Sequence, residues 1–555
     1  MTPTRFRVLF AALLVLCLGL AVSAQRDTTT SPSDLARFAP AEAFLFGATR
    51  IDTATLETLD GLINRIGTAS GFPVQDGLQA AIRTMDIDGW AGEAIAAYTP
   101  RPKSLDDDPT PRTVVLLEVA NRGEAFTFLT QALGEAVTDP STRFSTFTNP
   151  SNGQTFVLTN DLLAFANSAD DLADAPLNGD GASLATDLGY QRAVGSLPAP
   201  DYAAIAYFDP AALFPLIGDE IKQLLPMVDV VALADWFGGF AFGLTQFDGR
   251  AFAFDLSWEH NGSEALSQAL GLSQTVEFFP TFDPIDPAFL ENVPAGTQLV
   301  VQGGGAWRNL VTTARATSQT LTDLRQQADL PILIDPMGVG DINTGFLAAQ
   351  LLANQIGNGI AVLTLKGGLG LTDAQLIDAL DGQSILGWRL GTNEQRSNLS
   401  IEPALWLESQ GNGSRDLLGG VSGWLDEFML ERAQTDDGFS FSVDWQALTR
   451  NFDAEALVLP NTFVWRATDS LTFFGADTLL PSDRTDSIAP RVAEISPYLL
   501  EGASGLAWID LQGVATLVAG LDSTADAVLA EFDSLFASVV QTQTGTQARF
   551  AFVLK

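Results

Sequence analysis

Apolar residues in this chain alternate with polar ones or run together in short stretches, and four of these stretches open in nearly the same way. Phe38-Ala39-Pro40-Ala41 leads into Phe44-Leu45-Phe46, and Leu197-Pro198-Ala199 leads into Ile205-Ala206-Tyr207-Phe208. Further on, Val293-Pro294-Ala295 leads into Leu299-Val300-Val301, and Gly502-Ala503 into Leu506-Ala507-Trp508-Ile509. Each stretch reads as a strand, and three of the four are followed by an aspartate and a helical apolar period. Asp52 stands before Leu56, Leu59, Ile63 and Ile66, and Asp510 before Val514, Leu517, Val518 and Leu521. Asp209 precedes Leu213, Leu216, Ile217, Ile221 and Leu224, with Pro210 at the first helical position, where a missing N–H costs nothing. These aspartates read as helix N-caps and not as catalytic acids.

Two further phrases recur. Thr155-Phe156-Val157-Leu158, a turn, and Leu162-Leu163-Ala164-Phe165-Ala166 are answered by Thr462-Phe463-Val464-Trp465, a turn, and Leu471-Thr472-Phe473-Phe474. Both predict antiparallel hairpins. Asp88-Gly89-Trp90 ahead of Ala94-Ile95-Ala96 pairs with Asp381-Gly382-Gln383 ahead of Ile385-Leu386-Gly387-Trp388. The phrases keep one order, but the proline-to-tryptophan interval is 50 residues in the first half and 94 in the second. The next intervals agree better, 66 against 75 and 42 against 39. A tandem duplication with an insertion of roughly 45 residues accounts for the one large mismatch.

The expected fold is therefore α+β, two related halves, each an antiparallel or mixed sheet with helices packed on one face. The expected divisions are a signal peptide over 1–24, a flexible exit segment over 25–34, and a first half over 35–284. The second half covers 285–555 and holds the insertion near 325–370, around an apolar strand Ile360–Leu365.

Arg5 and Arg7, the apolar run Val8 to Val22 and the small-residue site Val22-Ser23-Ala24 match a secretory signal cleaved before Gln25. The run is shorter than the roughly 20 residues a spanning helix needs; an uncleaved signal would instead be an N-terminal membrane anchor. Cys17, the single cysteine, lies in this segment, so the mature chain carries no disulfide and no thiol chemistry. The expected location is exported: periplasmic, cell-surface or extracellular. Formal charge is −38, and loss of Arg5 and Arg7 with the leader makes it −40. Such a chain repels phosphate backbones, which argues against nucleic acid as a partner.

Chemistry is harder to find. His260 is the only histidine, so a Ser-His-Asp triad would have to use it; within Trp258-Glu259-His260-Asn261-Gly262 it reads as an exposed strand-end residue. Gly502-Ala503-Ser504-Gly505 approaches a nucleophile elbow but continues with Leu506. Gly303-Gly304-Gly305 reads as a tight strand-to-helix turn, an anion cradle being the alternative. Asp86-Ile87-Asp88-Gly89 lacks the further ligands of a calcium loop. Phe237, Phe240, Phe242, Phe252 and Phe254 alternate as core residues do, or as the lining of a hydrophobic groove. No catalytic, cofactor-binding or metal residue is assigned, and no cofactor is expected.

The Pro-Ala-strand-helix phrase, the hairpin Phe156 to Ala166 with Ser168-Ala169-Asp170-Asp171-Leu172 after it, and the export signal together resemble the bacterial exported proteins grouped as domain of unknown function 3352. The resemblance covers most of residues 35–555 and implies no catalytic residues. The expected function is that of a non-enzymatic binding or envelope-associated protein, whose partner is a protein, a lipid or a surface ligand, with peripheral envelope association. A carboxylate-dependent hydrolase and a carrier of a hydrophobic ligand are the alternatives.

Overall fold

The computed structural model describes residues 31–53, 55–57, 61, 87, 89–101, 112–138, 144–199, 201–224, 228–247, 250–272, 275, 281–305, 370–371, 373–393, 398–409, 412–427, 432–435, 437–442, 457–458, 462–468, 470–480, 486–518 and 529–555. Residues 1–24, expected as a signal, residues 25–30, the strand expected at Ile360–Leu365 and all but residue 370 of the insertion expected near 325–370 lie outside them, as do Leu59, Ile63 and Ile66. The fold is α+β and rich in strands. It divides into two compact units: residues 1–223, 228–261 and 545–547 form one, and 224–227, 262–544 and 548–555 form the other.

In the first unit the strands are β1 (Ala43–Arg50), β2 (Ala91–Pro100), β3 (Val114–Val119), β4 (Val137–Thr138), β5 (Ser145–Thr148), β6 (Thr155–Leu158), β7 (Leu162–Ala166), β8 (Ala204–Phe208), β9 (Phe237–Phe247) and β10 (Ala251–His260). They pair antiparallel throughout, in the order β4-β5-β6-β7-β3-β2-β1-β8-β9-β10. The hairpin expected from Phe156 to Ala166 is β6-β7, with Phe156 opposite Phe165.

Successive strand residues point to opposite faces, and the unit has a core on each. Phe46, Tyr98, Leu116, Tyr207 and Ala241 build one core under the 3-10 helix Pro32–Phe38 and the helix Leu188–Gly195, which contribute Leu35, Phe38, Tyr190 and Ala193. Leu117, Val119, Leu163 and Trp90 build another with Ala125 and Leu129 of the helix Arg122–Leu133. Helices thus cover both faces, which corrects the expectation of one covered face. Neighbouring Leu116 and Leu117 explain the difference: both are apolar and both are buried, so neither face could be left to water.

The second unit contains β11 (Leu299–Gly304), β12 (Gln383–Asn393), β13 (Asn398–Glu408), β14 (Arg432–Thr435), β15 (Gly438–Ser442), β16 (Leu457–Val458), β17 (Thr462–Ala467), β18 (Leu471–Ala476), β19 (Gly505–Asp510) and β20 (Phe532–Gln541). Antiparallel pairing runs β14-β15-β17-β18-β13-β12-β11-β19-β20. The two-residue β16 adds a parallel pairing to β13. The helix Gly413–Glu427 places Leu417 and Val421 against Leu407 and Phe439.

The glycine triplet departs from its expected turn. Gly303 and Gly304 continue β11, paired with Ser384 and Gln383, and only Gly305 takes a positive φ, of 60°. Gly304 is needed because another backbone segment crosses there: an added Cβ would lie 2.1 Å from the Asp283 carbonyl oxygen. Neither side of that contact is a flexible side chain, so Gly304→Ala should lower stability by about 1–3 kcal/mol. Gly419, inside a helix with nothing within 4 Å of its added Cβ, is the control, since Gly419→Ala should stabilise by about 0.5–1 kcal/mol. Urea titrations of the two variants test this pair; equal effects would refute the steric account.

Candidate functional site

The three predicted caps are caps. The Asp52 carboxylate accepts from the Thr55 N–H at 3.0 Å, Asp209 from Ala211 at 2.9 Å, and Asp510 from Gly513 at 3.1 Å. A fourth, Asp286, accepts from Ala288 at 2.9 Å ahead of the short 3-10 helix Pro287–Asn292. Ser504 is likewise structural, for its hydroxyl donates to the Val539 carbonyl at 3.1 Å and accepts from the Gln541 N–H at 3.3 Å. Asp86 and Asp88 lie outside the described residues.

His260 corrects the sequence reading. It ends β10 as expected but is only 4% exposed, its ring stacked on Trp236 at 5.5 Å and tilted against Trp258 at 5.0 Å. Trp236 closes the helix Val230–Trp236, whose Asp229 cap accepts from the Val231 and Ala232 N–H groups and sets where that ring falls. Burial holds the imidazole pKa down at about 4.

Close to this histidine, a band of apolar side chains crosses four strands. Strand register puts Leu45 opposite Phe208, Phe208 opposite Phe240 and Phe240 opposite Trp258, so all four share one face. Phe208 and Phe240 stack at 6.3 Å, and Phe240 and Trp258 at 5.4 Å with planes 6° apart. Phe242 and Phe254 extend the same face, and all six side chains are half-buried. Phe237 packs on Phe214 at 5.2 Å. Of the sequence candidates, Phe240, Phe242 and Phe254 lie together in the band, Phe237 joins it through Trp258 at 6.3 Å, and Phe252 packs on Phe254 at 6.1 Å. Phe208 and Trp258 were missed because cross-strand register is not written in the periodicity of any one strand, and Trp236 because it arrives on a separate helix.

A polar group lies on the opposite face. Tyr207 is 3% exposed, its ring edge-on to Tyr190 at 5.1 Å. Burial, then the charges of Asp209 and Asp187, push its hydroxyl pKa upward. Burial also raises the Asp209 carboxyl, against the pull of the Ala211 N–H and with a further push from Asp187. Asp187 caps the helix Leu188–Gly195 by accepting from the Tyr190 N–H at 2.8 Å. Elsewhere Tyr202 donates to the buried Asp255 at 2.8 Å and accepts from the Ala199 N–H at 2.6 Å, which ties down the second Pro-Ala turn. Buried Arg50 is paired with Asp201 at 2.5 Å.

The second unit holds an apolar cavity of about 230 Å³ lined by Ile285, Pro287, Leu290, Val492 and Leu506. Ligand sites for drug-sized molecules run from about 300 Å³ upward, so this space is smaller than such a site. Among the described residues, no three His, Cys, Asp or Glu side chains group as a metal site, and no helix is long and apolar enough to cross a membrane. Comparison with models of protein families, with curated proteins and with solved structures gives no match.

His260 generates a pH prediction. Its folded pKa of about 4 lies below the ordinary 6.5, so the folded state holds fewer protons between those values and loses stability as pH falls through them. Thermal unfolding of the wild type should therefore weaken over that window. His260→Phe, which keeps the stack on Trp236, should flatten that part of the profile, and an unchanged slope would show that the histidine is not its source.

Proposed function

We propose that this chain is an exported, non-enzymatic binding protein made of two duplicated α+β units, with a hydrophobic molecule as the class of ligand. The band Leu45, Phe208, Phe240, Phe242, Phe254 and Trp258 carries the reading, as a contiguous, half-buried aromatic face on a rigid sheet. The residues that first suggest catalysis support it from the other side: the caps and Ser504 are engaged with backbone, and His260 is packed between tryptophans. The leader at 1–24, with its cleavage site before Gln25, supports export, and the likeness to the exported proteins of domain of unknown function 3352 belongs to the same reading.

Duplication is supported strand by strand, since the pairing order β4-β5-β6-β7-β3-β2-β1-β8-β9 has its counterpart in β14-β15-β17-β18-β13-β12-β11-β19-β20. Finer details agree as well. Pro40 bridges Ser183 and Pro294 bridges Ser487. The Leu184 N–H donates to Ala39 at 2.9 Å and the Ile488 N–H to Val293 at 3.0 Å. A 3-10 helix with proline at its start precedes each opening phrase, Pro32–Phe38 and Pro287–Asn292. The stretch between β11 and β12 is longer than that between β1 and β2, as an insertion near 325–370 requires.

Full-length protein purified from its own cell envelope should carry a hydrophobic ligand in native mass spectrometry. Phe240→Ala should weaken rebinding of that ligand by about tenfold or more, the equivalent of roughly 1.4 kcal/mol of lost contact. Protein that retains nothing, or that hydrolyses a substrate through a carboxylate pair, would overturn the proposal.

A further inference from the structure

The apolar cavity of the second unit is a feature that the aromatic band does not use. It lies between the 3-10 helix Pro287–Asn292 and the helix Ala489–Ile495, which pack on each other, with Leu506 of β19 in its wall. Leu290, Val492 and Leu506 are buried and form its inner side, whereas Ala288, Glu291 and Ser496 are exposed, so the cavity opens to solvent between the two helices. Interiors are packed near crystal density, and an apolar void of about 150 Å³ takes up a benzene ring. At about 230 Å³ this one admits a ring with a short chain attached.

A ring already fills the matching place in the first unit. There the 3-10 helix Pro32–Phe38 and the helix Leu188–Gly195 lie on one core, and the helix buries Tyr190 and Ala193, three residues apart. The helix Ala489–Ile495 buries Val492 and Ile495 at the same spacing, which makes Val492 the counterpart of Tyr190. The Tyr190 ring stands edge-on to Phe46 at 5.9 Å and to Tyr207 at 5.1 Å. Its buried hydroxyl has no hydrogen-bond partner among the described residues, so packing and not a polar contact places the ring. Val492 has no ring, and the cavity lies against it. This comparison rests on the duplication proposed above; the cavity itself does not depend on it.

We propose that the cavity binds a small molecule made of one aromatic ring on a short chain that ends in an ammonium group. Volume and the Tyr190 precedent select the ring. Charge selects the ammonium: among the described residues that line the cavity Glu291 alone is ionisable, and it stands at the open side. The Ser496 hydroxyl is already donated to the Ala493 carbonyl at 2.9 Å. The formal charge of −38 adds an attraction of the same sign at longer range, and an anionic relative would be repelled by both. Because Glu291 is exposed its share is modest, and burial of the ring supplies most of the affinity.

Phenethylammonium titrated into full-length protein at physiological ionic strength, followed by ligand-observed NMR, tests the site. One saturable class is expected, with phenethyl alcohol bound about threefold more weakly and phenylpropionate about tenfold more weakly. Val492→Tyr, which puts the first unit's ring into the space, should abolish binding and leave the unfolding temperature no lower. A ring forced into a core can also overpack it. Ala288→Phe, at the exposed rim, therefore provides a second test: it should weaken binding by about tenfold or more with circular dichroism unchanged. Glu291→Gln should remove the preference for the ammonium over the alcohol while both still bind, and Phe240→Ala in the first unit should change nothing. Absence of saturable binding, equal affinity for the three probes, or binding that survives both Val492→Tyr and Ala288→Phe would overturn the site and leave the hydrophobic-ligand reading untouched. Binding lost in Phe240→Ala and kept in Ala288→Phe would overturn it in favour of the aromatic band.

Discussion

The first strand of each unit is hydrogen-bonded along both edges, and the rest of the sheet depends on that arrangement. β1 takes β2 on one side and β8 on the other, and β11 takes β12 and β19. The partners come from distant parts of the chain, yet closing a long loop costs little more than closing a short one, because the entropy grows only with the logarithm of length. Burial supplies the specificity. Phe46 and Ala48 are buried on one face, and a slip of one residue would exchange them for Leu45 and Gly47.

Chain direction after these central ladders is controlled by carboxylates. Asp209 and Asp510 stand where β8 and β19 give way to a helical turn, and each satisfies N–H groups that would otherwise have no partner.

The two sheets are filled differently around their first strands. Phe46 lies between Tyr98 and Tyr207, whereas Val300 lies between Gly387 and Trp508. The space at Gly387 is taken by Trp406, whose ring would meet an added Cβ at 2.7 Å. Opposite Tyr207 stands Ala241 in place of a ring, but opposite Trp508 stands Phe536. Interiors are packed near crystal density, so a volume lost at one register must be supplied from another strand. Each sheet therefore fills the space beside its first strand from a different set of strands.

The order of the phrases, the hairpins β6-β7 and β17-β18, and the capping aspartates follow from the sequence alone, because each depends on residues within a few positions of one another. Distance along the chain is where that reading stops. The burial of His260 depends on Trp236, which arrives on a helix, and the aromatic band depends on register among β1, β8, β9 and β10. The Gly304 crossing depends on Asp283. Local propensity cannot encode any of these, since each is the meeting of two segments whose separation in sequence says nothing of their approach. Tertiary structure decided which aromatic residues lie together.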